Sequence, residues 1–488
     1  MSNLSDLKAA GGSGKTVDLV ASGALANGDK VILNADGTVS VIVGNAEGAG
    51  TAAAFESATT PDTSATFDSN SNKVVIAYYD VGNSSYGTAV VGTVSGTSIS
   101  FGTAVVFNSA TSSYTSVTFD SNSNKVVISY RDSGNSYYGT AIVGTVSGTS
   151  ISFGTPEVFS NTNTSDTSAT FDSNSNKIVI AYKDFGPAPP LGYGTARVGT
   201  VSGTSISFGT LVVFESANSR YISATFDSNS NKIVIAYQDD GNSLYGTAIV
   251  GTVSGTSISF GTPVVFESAA SKYIYATFDS NSNKIVIAYR DDGNSDYGTA
   301  VVGTVSGTSI SFGTPVVFES ADSRDISATF DSNSNKVVIA YRDGGNSDYG
   351  TAVVGTVSGT SISFGTAVVF ESASSFDISA TFDSNSNKVV IAYRDGGNSL
   401  YGTGIVYSLA STTLTGTNFL GISEGATADT ATATVMLRGG ITTTQSGLTP
   451  GSTYYVQRDG TLSTTADSPS VVAGQAISTT TLLIEGES

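Results

Sequence analysis

The chain has 488 residues, of which 39% are hydrophobic and 12% charged, with 55 Gly, no Cys, no His and a formal net charge of −19. The missing cysteines exclude disulfides, thiol nucleophiles and thiolate metal sites, and the missing histidines remove the commonest general base and zinc ligand. The negative charge disfavours nucleic-acid phosphates and anionic lipid, while 23 Phe and 23 Tyr beside recurrent Val/Ile runs make the chain too apolar for disorder.

In chain order, residues 1–15 read as a flexible tail without the apolar core of a signal peptide. The string AAGGSGKT at 9–16 falls short of a phosphate-binding loop. Ala9 stands where the pattern needs Gly, and no strand or helix flanks it. Residues 16–44 form a β segment of three apolar runs (VDLVAS, KVILN, VSVIV) parted by turn signals at Asn27-Gly28 and Asp36-Gly37.

From 45 to 411 the string FDSNSNK occurs seven times, its Asp at 68, 120, 172, 227, 279, 331 and 383. The spacing is 52 residues, except 55 between Asp172 and Asp227, where a Pro-rich insertion (FGPAPPLGY, 185–193) adds three. Each copy predicts four strands, typified by 221–227, 232–237, 245–253 and 257–266. Val, Ile, Thr, Tyr and Phe alternate with small residues there, and Gly/Asn/Ser/Asp clusters part the runs. Ser254-Gly255 reads as a two-residue hairpin turn. No 3.6-residue apolar period appears, so helices should be nearly absent. No run of about 18 apolar residues offers a membrane span. Residues 412–488 again read as a β-rich segment, with turns at Pro450-Gly451 and Asp459-Gly460.

Four strands per unit predict an all-β fold, a seven-bladed β-propeller, with a parallel β-helix as the rival repeat. The cassette GTVSGTSISFGT occurs six times, and the seventh unit stops after its third strand, near 401–409. The missing strand has a candidate at the other end: GTAAAFESA (50–58) aligns with GTAVVFESA (365–373). An N-terminal strand completing the last blade would close the ring and leave no open edge. The segments outside the ring would then pair into one small β-rich domain. Neighbouring blades should bury Ile233, Ile235 and Tyr237 on one face and their alternates on the other.

The opening (MSNLSDL…LVASGALANGDKVILNADGTVSVI), the DSNSNKVVIAYRD repeats and the ending (GLTPGSTYYVQRDGTLSTT) together resemble virion structural proteins of tailed marine bacteriophages, particularly those infecting cyanobacteria. The resemblance spans nearly the whole chain. It implies a structural protein of the virion, assembled in the host cytoplasm, as a tail, fibre or capsid-attached component. It further implies other virion proteins as partners and a homo-oligomeric state. It carries over no binding residues.

Differences among the copies are not evenly spread. The DSNSNK and VSGTS turns are constant. Before strand one the copies read TTPDTS, TSSYTS, NTSDTS, NSRYIS, ASKYIY, DSRDIS and SSFDIS, and the strings after strand two also vary. In an up-and-down blade these two places lie on one side of the disc. Tolerance of change in longer loops, or a recent duplication, would explain this. So would a recognition face. The candidate binding residues are Tyr114, Arg220, Tyr221, Lys272, Tyr273, Arg324, Asp325, Phe376 and Asp377. A second ring holds Arg131, Lys183, Arg290, Arg342 and Arg394, and the insertion contributes Phe185 and Leu191. Arg and aromatic residues are enriched at binding hot spots, and aromatic faces beside Asp and Arg suit a host-surface glycan.

Catalytic and metal sites are not expected, and neither are a cofactor, nucleic acid or membrane insertion. Asp68-Ser-Asn70-Ser-Asn72 alternates oxygen side chains as calcium loops do, but Lys73 follows and no bidentate Glu does, so the reading is an Asp-capped turn with a weak cation site as the alternative. The RDxGNS strings resemble the Asp-box of sialidase propellers but lack its Trp and lie between strands two and three. There Asp should cap the loop while Gly and Asn accept left-handed backbone. A hydrolase would need one singular carboxylate pair, whereas almost every Asp here is one of seven equivalents. The chain is therefore read as a binder and not an enzyme. A virion-borne glycan-degrading propeller, or a ligand-free spacer or decoration protein, are the alternatives.

Overall fold

The computed structural model describes residues 15–186, 192–467 and 469–485. The chain is all-β, and its described helices are single 3₁₀ turns. It divides into two compact units, one spanning Gly48–Ser408 and the other combining the chain up to Glu47 with the chain from Leu409. The repeat unit is slightly narrower than the 45–411 expected, because Gly44 pairs with Thr412 and Asn45 with Ser411 inside the other unit.

One repeat describes the rest. Strand Lys232–Asp239 pairs antiparallel with the end of Val212–Asp227 (Asp227↔Lys232) and with Tyr245–Ser254 (Asp239↔Tyr245). Tyr245–Ser254 then pairs with Ser257–Phe260 along one half and with the start of Val264–Asp279 along the other. The rest of Val264–Asp279 pairs with Lys284–Asp291 of the next repeat. The expected fourth strand, 257–266, is thus two strands, and its second piece continues without a loop into the next repeat's first strand. The break falls at Gly261, where a Cβ would lie 1.9 Å from the Thr308 carbonyl oxygen of the next repeat's turn. Only a residue without Cβ admits that approach.

At the end of the repeats, Tyr401–Ser408 is hydrogen bonded along Ala53–Thr59, with Gly404↔Ala53, Thr403↔Ala54 and Gly402↔Glu56. Ser64–Asp68 in turn pairs with Lys73–Asp80 of the first repeat. The succession of paired strands therefore returns to its own beginning.

The core lies between successive sheets. Val179, Ala181, Val198 and Phe214 of one sheet pack on Ile233, Ile235 and Tyr237 of the next. Ile233, Ile235 and Tyr237 are fully buried, as strand alternation requires when both sheet faces are covered. Phe214 packs 5.2 Å from Tyr237 and 5.7 Å from Phe260, ring centre to ring centre. Each large side chain so buried contributes roughly 1.5–3 kcal/mol.

The turns differ in detail from expectation. Ser254 pairs with Ser257, so the hairpin turn is Gly255-Thr256, with Gly255 at φ +61°. In the loop after strand two, Asp239 does cap, its Oδ1 accepting the Gly241 N–H at 2.9 Å. The left-handed backbone falls on Ser243 and Leu244, however, and not on Gly or Asn. A 3₁₀ turn at Asp240–Asn242 consumes the Gly and Asn in right-handed backbone, so the reversal comes one residue later.

In the other unit, Thr16–Val20 pairs with Thr432–Leu437 and Lys30–Leu33 with Phe419–Ser423, so strands from both chain ends share one five-stranded sheet. A second five-stranded sheet uses strands between Ile441 and Ile484. Ile32 and Ile422 of the first sheet share a core with Val456 and Leu482 of the second. Gly28, Gly37, Gly451 and Gly460 hold φ between +79° and +88° at the turns.

Candidate functional site

Each sixteen-residue strand is interrupted where it passes from one sheet to the next. In Val212–Asp227 the register shifts between Arg220 and Ser223. Tyr221 within that bulge has φ +51°. The equivalent residues are Asp62, Tyr114, Asp166, Tyr273, Asp325 and Asp377, all with φ between +48° and +53°. Asp tolerates left-handed backbone, whereas a bulky Tyr adopts it against its preference, and strain of this kind gathers at functional positions.

These seven residues, with the seven that follow them, line one cavity of about 240 Å³. Its mouth is the ring of four Asp and three Tyr. Below lie Thr63, Thr115 and Thr167 along one arc and Ile222, Ile274, Ile326 and Ile378 along the other. The cavity therefore has a polar side and an apolar side although the repeats are nearly identical. Tyr221 and Tyr273 stand together on the apolar side, their rings 5.4 Å apart. Asp325, Asp377 and Asp62 follow one another around the ring.

The ring carboxylates are tied to their neighbours' backbone. Asp62 Oδ2 accepts the Tyr114 N–H at 3.0 Å, Asp166 Oδ1 the Tyr221 N–H at 3.0 Å, and Asp377 Oδ1 the Asp62 N–H at 3.4 Å. Burial pushes Asp62 up to about 6, with the nearby Asp377 charge adding to the shift. Burial also raises Asp325 to about 6 against the opposing pull of Arg342, and it raises Asp377 against that of Arg394.

One ring further out, on strand two, stand the expected cations. Arg342 pairs with Asp325 at 3.1 Å and Arg394 with Asp377 at 2.8 Å, and both guanidinium groups flank the Phe376 ring, at 4.7 and 4.9 Å. Arg131 lies over Tyr114 and Tyr137, at 4.7 and 5.4 Å. Arg290 contacts Tyr273 and pairs with Asp292, Asp296 and Asp322. Lys183 sits 4.8 Å from the Phe185 ring centre. The fourth repeat has Gln238 here, its Nε2 donating to the Ser271 carbonyl at 2.9 Å.

The candidate residues thus separate into classes. Tyr114, Tyr221, Tyr273, Asp325 and Asp377 line the cavity. Arg131, Lys183, Arg290, Arg342, Arg394 and Phe376 do not line it and instead contact the ring or its surroundings. Arg220, Lys272 and Arg324 are more exposed and pair with Asp240, Asp292 and Asp322. Leu191 and the middle of the 185–193 insertion lie outside the described residues. The expectation that the variable strings before strand one are loops is corrected for six of the seven, which are the bulged middles of continuous strands, whereas TTPDTS links Ala53–Thr59 to the separate strand Ser64–Asp68. Two ring members, Asp62 and Asp166, were missed. They occupy the same column of the aligned copies as Tyr114 and Tyr221, so the column was the signal and residue type the distraction.

Deeper in the bore a third layer joins adjacent sheets. Ser64 Oγ accepts the Val117 N–H at 3.1 Å, and Ser116, Ser168, Ser223, Ser327 and Ser379 accept in the same way from their neighbours. Tyr275 replaces serine in this layer, and its hydroxyl bonds to the Ser327 side chain.

Two further carboxylate sets are structural. Asp227 is buried, with Oδ1 accepting the Asn229 and Ser230 N–H groups at 2.9 Å and Oδ2 the Ser230 hydroxyl at 2.6 Å. The DSNSNK aspartate is thus the cap of its own turn. Among the described residues no acidic group of three or more is placed to hold a metal ion. Tyr289 bonds to Glu267 at 3.0 Å, and the pair recurs as Tyr237–Glu215, Tyr341–Glu319 and Tyr393–Glu371. Each of these tyrosines is fully buried.

No protein-family model matches the chain, and no curated protein is similar to it in sequence. Among solved structures, the β-propeller lectin BP39L from Burkholderia pseudomallei is similar over 73% of this chain and 98% of its own, at 11% identity and a TM-score of 0.52. A single-residue mutant of the Aleuria aurantia lectin, solved with Fucα1-6GlcNAc, matches 64% of this chain and 96% of its own at 14% identity, with a TM-score of 0.40. The NanB sialidase of Streptococcus pneumoniae matches 73% of this chain and 69% of its own at 12% identity, with a TM-score of 0.42. At such identities the first of these likenesses speaks for the fold alone.

Proposed function

We propose that Gly48–Ser408 is a seven-bladed β-propeller lectin that binds a glycan in the cavity at its axis, with Ala53–Thr59 as the strand that closes the ring. The observation carrying this reading is the asymmetry of that cavity. Seven near-identical repeats place threonine hydroxyls beneath Asp62, Tyr114 and Asp166 on one arc, and isoleucines beneath the paired Tyr221 and Tyr273 and beneath Asp325 and Asp377 on the other. An amphipathic pocket with a few convergent polar groups is the usual form of a small-ligand site, and a sugar ring has one apolar and one hydroxylated aspect. The fold likeness to a lectin supports the same reading.

Binding is preferred over cleavage. The tyrosine–glutamate pairs that could serve a sialidase-type reaction are repeated, and their tyrosines are buried. On the strength of the sequence resemblance, we place this lectin in the virion of a tailed phage, where it would recognise the host surface. Binding of the full chain to a broad glycan array, compared with Tyr221→Ala, tests the first claim. Loss of a wild-type signal is expected, and an array without any signal refutes it. Mass spectrometry of purified virions tests the second, which fails if the chain is missing from them.

A further inference from the structure

The charges around the cavity narrow the class of sugar. Two of the four ring aspartates are ion-paired, and the other two feel cations nearby. Asp325 and Asp377 are ion-paired with Arg342 and Arg394. Asp62 lies in the field of Arg131 and Arg394, and Asp166 in that of Lys183. Arg290, the remaining cation of the outer ring, is held by three other aspartates. A ligand carboxylate entering the mouth would meet carboxylate oxygens first, with Arg290, Arg342 and Arg394 behind them already ion-paired. A ligand ammonium would meet Asp325 and Asp377 already ion-paired, and Asp62 and Asp166 in the field of neighbouring cations. Stripping water from either ion without a partner is costly.

Hydroxyl donors are in a different position. Asp62 Oδ2 is engaged by the Tyr114 N–H, while Oδ1 is left to accept from a ligand. The Thr115 and Thr167 hydroxyls lie on the same arc, and the facing arc offers Tyr221, Tyr273 and isoleucine surface to the C–H face of a ring. At about 240 Å³ the space is smaller than the roughly 300–1,000 Å³ of pockets that enclose drug-sized ligands, which fits one monosaccharide and not a longer segment.

We infer that the cavity takes a single uncharged pyranose, the terminal unit of a glycan, and discriminates against sialic acids, uronic acids and amino sugars. This rests on the lectin reading above and goes further by naming the ligand class. The test is calorimetric or saturation-transfer NMR titration of the full chain at pH 7.5. The probes are the methyl glycosides of glucose, galactose, mannose and fucose, then N-acetylneuraminic acid, glucuronic acid and glucosamine.

At least one neutral glycoside should bind ten-fold or more tighter than all three charged sugars. Tyr221→Ala and the isosteric Asp62→Asn should each weaken it, the former at least ten-fold. Asp62→Asn keeps the test open should the first variant misfold. Preference for a charged sugar overturns this inference and leaves a lectin standing. Neutral binding that both folded variants leave unchanged overturns the assignment to this cavity. Failure to bind any sugar here or on a broad array removes the lectin reading itself.

Discussion

Phe55→Ala probes the strand that meets the last repeat. Phe55 is 8% exposed, with its ring centre 5.1 Å from Tyr78 and 5.5 Å from Phe101, and it covers Gly402, where a Cβ would lie 2.4 Å from its Cε2. Its internal counterpart, Phe266, is 6% exposed, 5.1 Å from Tyr289 and 5.8 Å from Phe312, and covers Gly246 at the same 2.4 Å. Truncating a buried Phe costs about 3–5 kcal/mol in lost transfer energy and residual cavity. If residues 53–59 are an integral strand, Phe55→Ala and Phe266→Ala should destabilise alike, by about 3–5 kcal/mol each. If the strand frays from its partner, its side chain is already released in locally open forms and the loss is small. Urea unfolding followed by tyrosine fluorescence, in a chain without tryptophan, gives both midpoints. A loss below about 1 kcal/mol for Phe55→Ala beside a full loss for Phe266→Ala would refute the closing role of this strand.

Asp62→Asn should alter the pH dependence of stability. The folded pKa, about 6, stands above the ordinary 3.8, so the folded chain binds the extra proton between these values. Stability from this group is complete below about 3.8 and is lost as pH rises through about 6. The variant, which can still accept the Tyr114 N–H, should match wild type near pH 4 and exceed it at pH 8 by at most about 3 kcal/mol. Equal denaturation midpoints at both pH values contradict this. Asp227→Ala strands two backbone N–H groups and should cost about 1–3 kcal/mol by the same denaturation assay. Millimolar calcium should leave the wild-type melting temperature unchanged, since the turn's own donors occupy that carboxylate, and a rise on titration would restore the cation reading. Gly246→Ala sets a Cβ 2.4 Å from Phe266 Cε2 and should cost about 1–3 kcal/mol, whereas Gly48→Ala, with nothing within 4 Å, should be close to neutral in calorimetry.

Much of this architecture was legible in the residues. The unbroken apolar run in KIVIAY announced a strand covered on both faces, and Ile233, Val234, Ile235 and Tyr237 are all buried. The match of GTAAAFESA to GTAVVFESA pointed to the segment that pairs with Tyr401–Ser408. What local sequence concealed was the passage between sheets. A variable, polar string such as NSRYIS has the composition of a loop, yet its backbone stays hydrogen bonded through the bulge, first to one sheet and then to the next. Nor does Tyr advertise left-handed backbone, because the preference of the residue opposes it and the surrounding sheets impose it. The site was half visible for a related reason. Searching the variable positions for Arg and aromatic side chains found Tyr221 and Tyr273 and passed over Asp62 and Asp166, whose role comes from position in the ring.

The sixteen-residue strands have a further consequence for how the repeats come apart. Because Val264–Asp279 is stitched at one end to Tyr245–Ser254 and at the other to Lys284–Asp291, no sheet can melt without loosening the margin of the one beside it. Solenoid arrays with separable modules unravel from their tips in stages. A ring closed as proposed, with six of its seven passages made by shared strands, has no tip, so loss of order should spread around it in a single concerted event. Proteases acting on the native chain would then find few intermediates to cut.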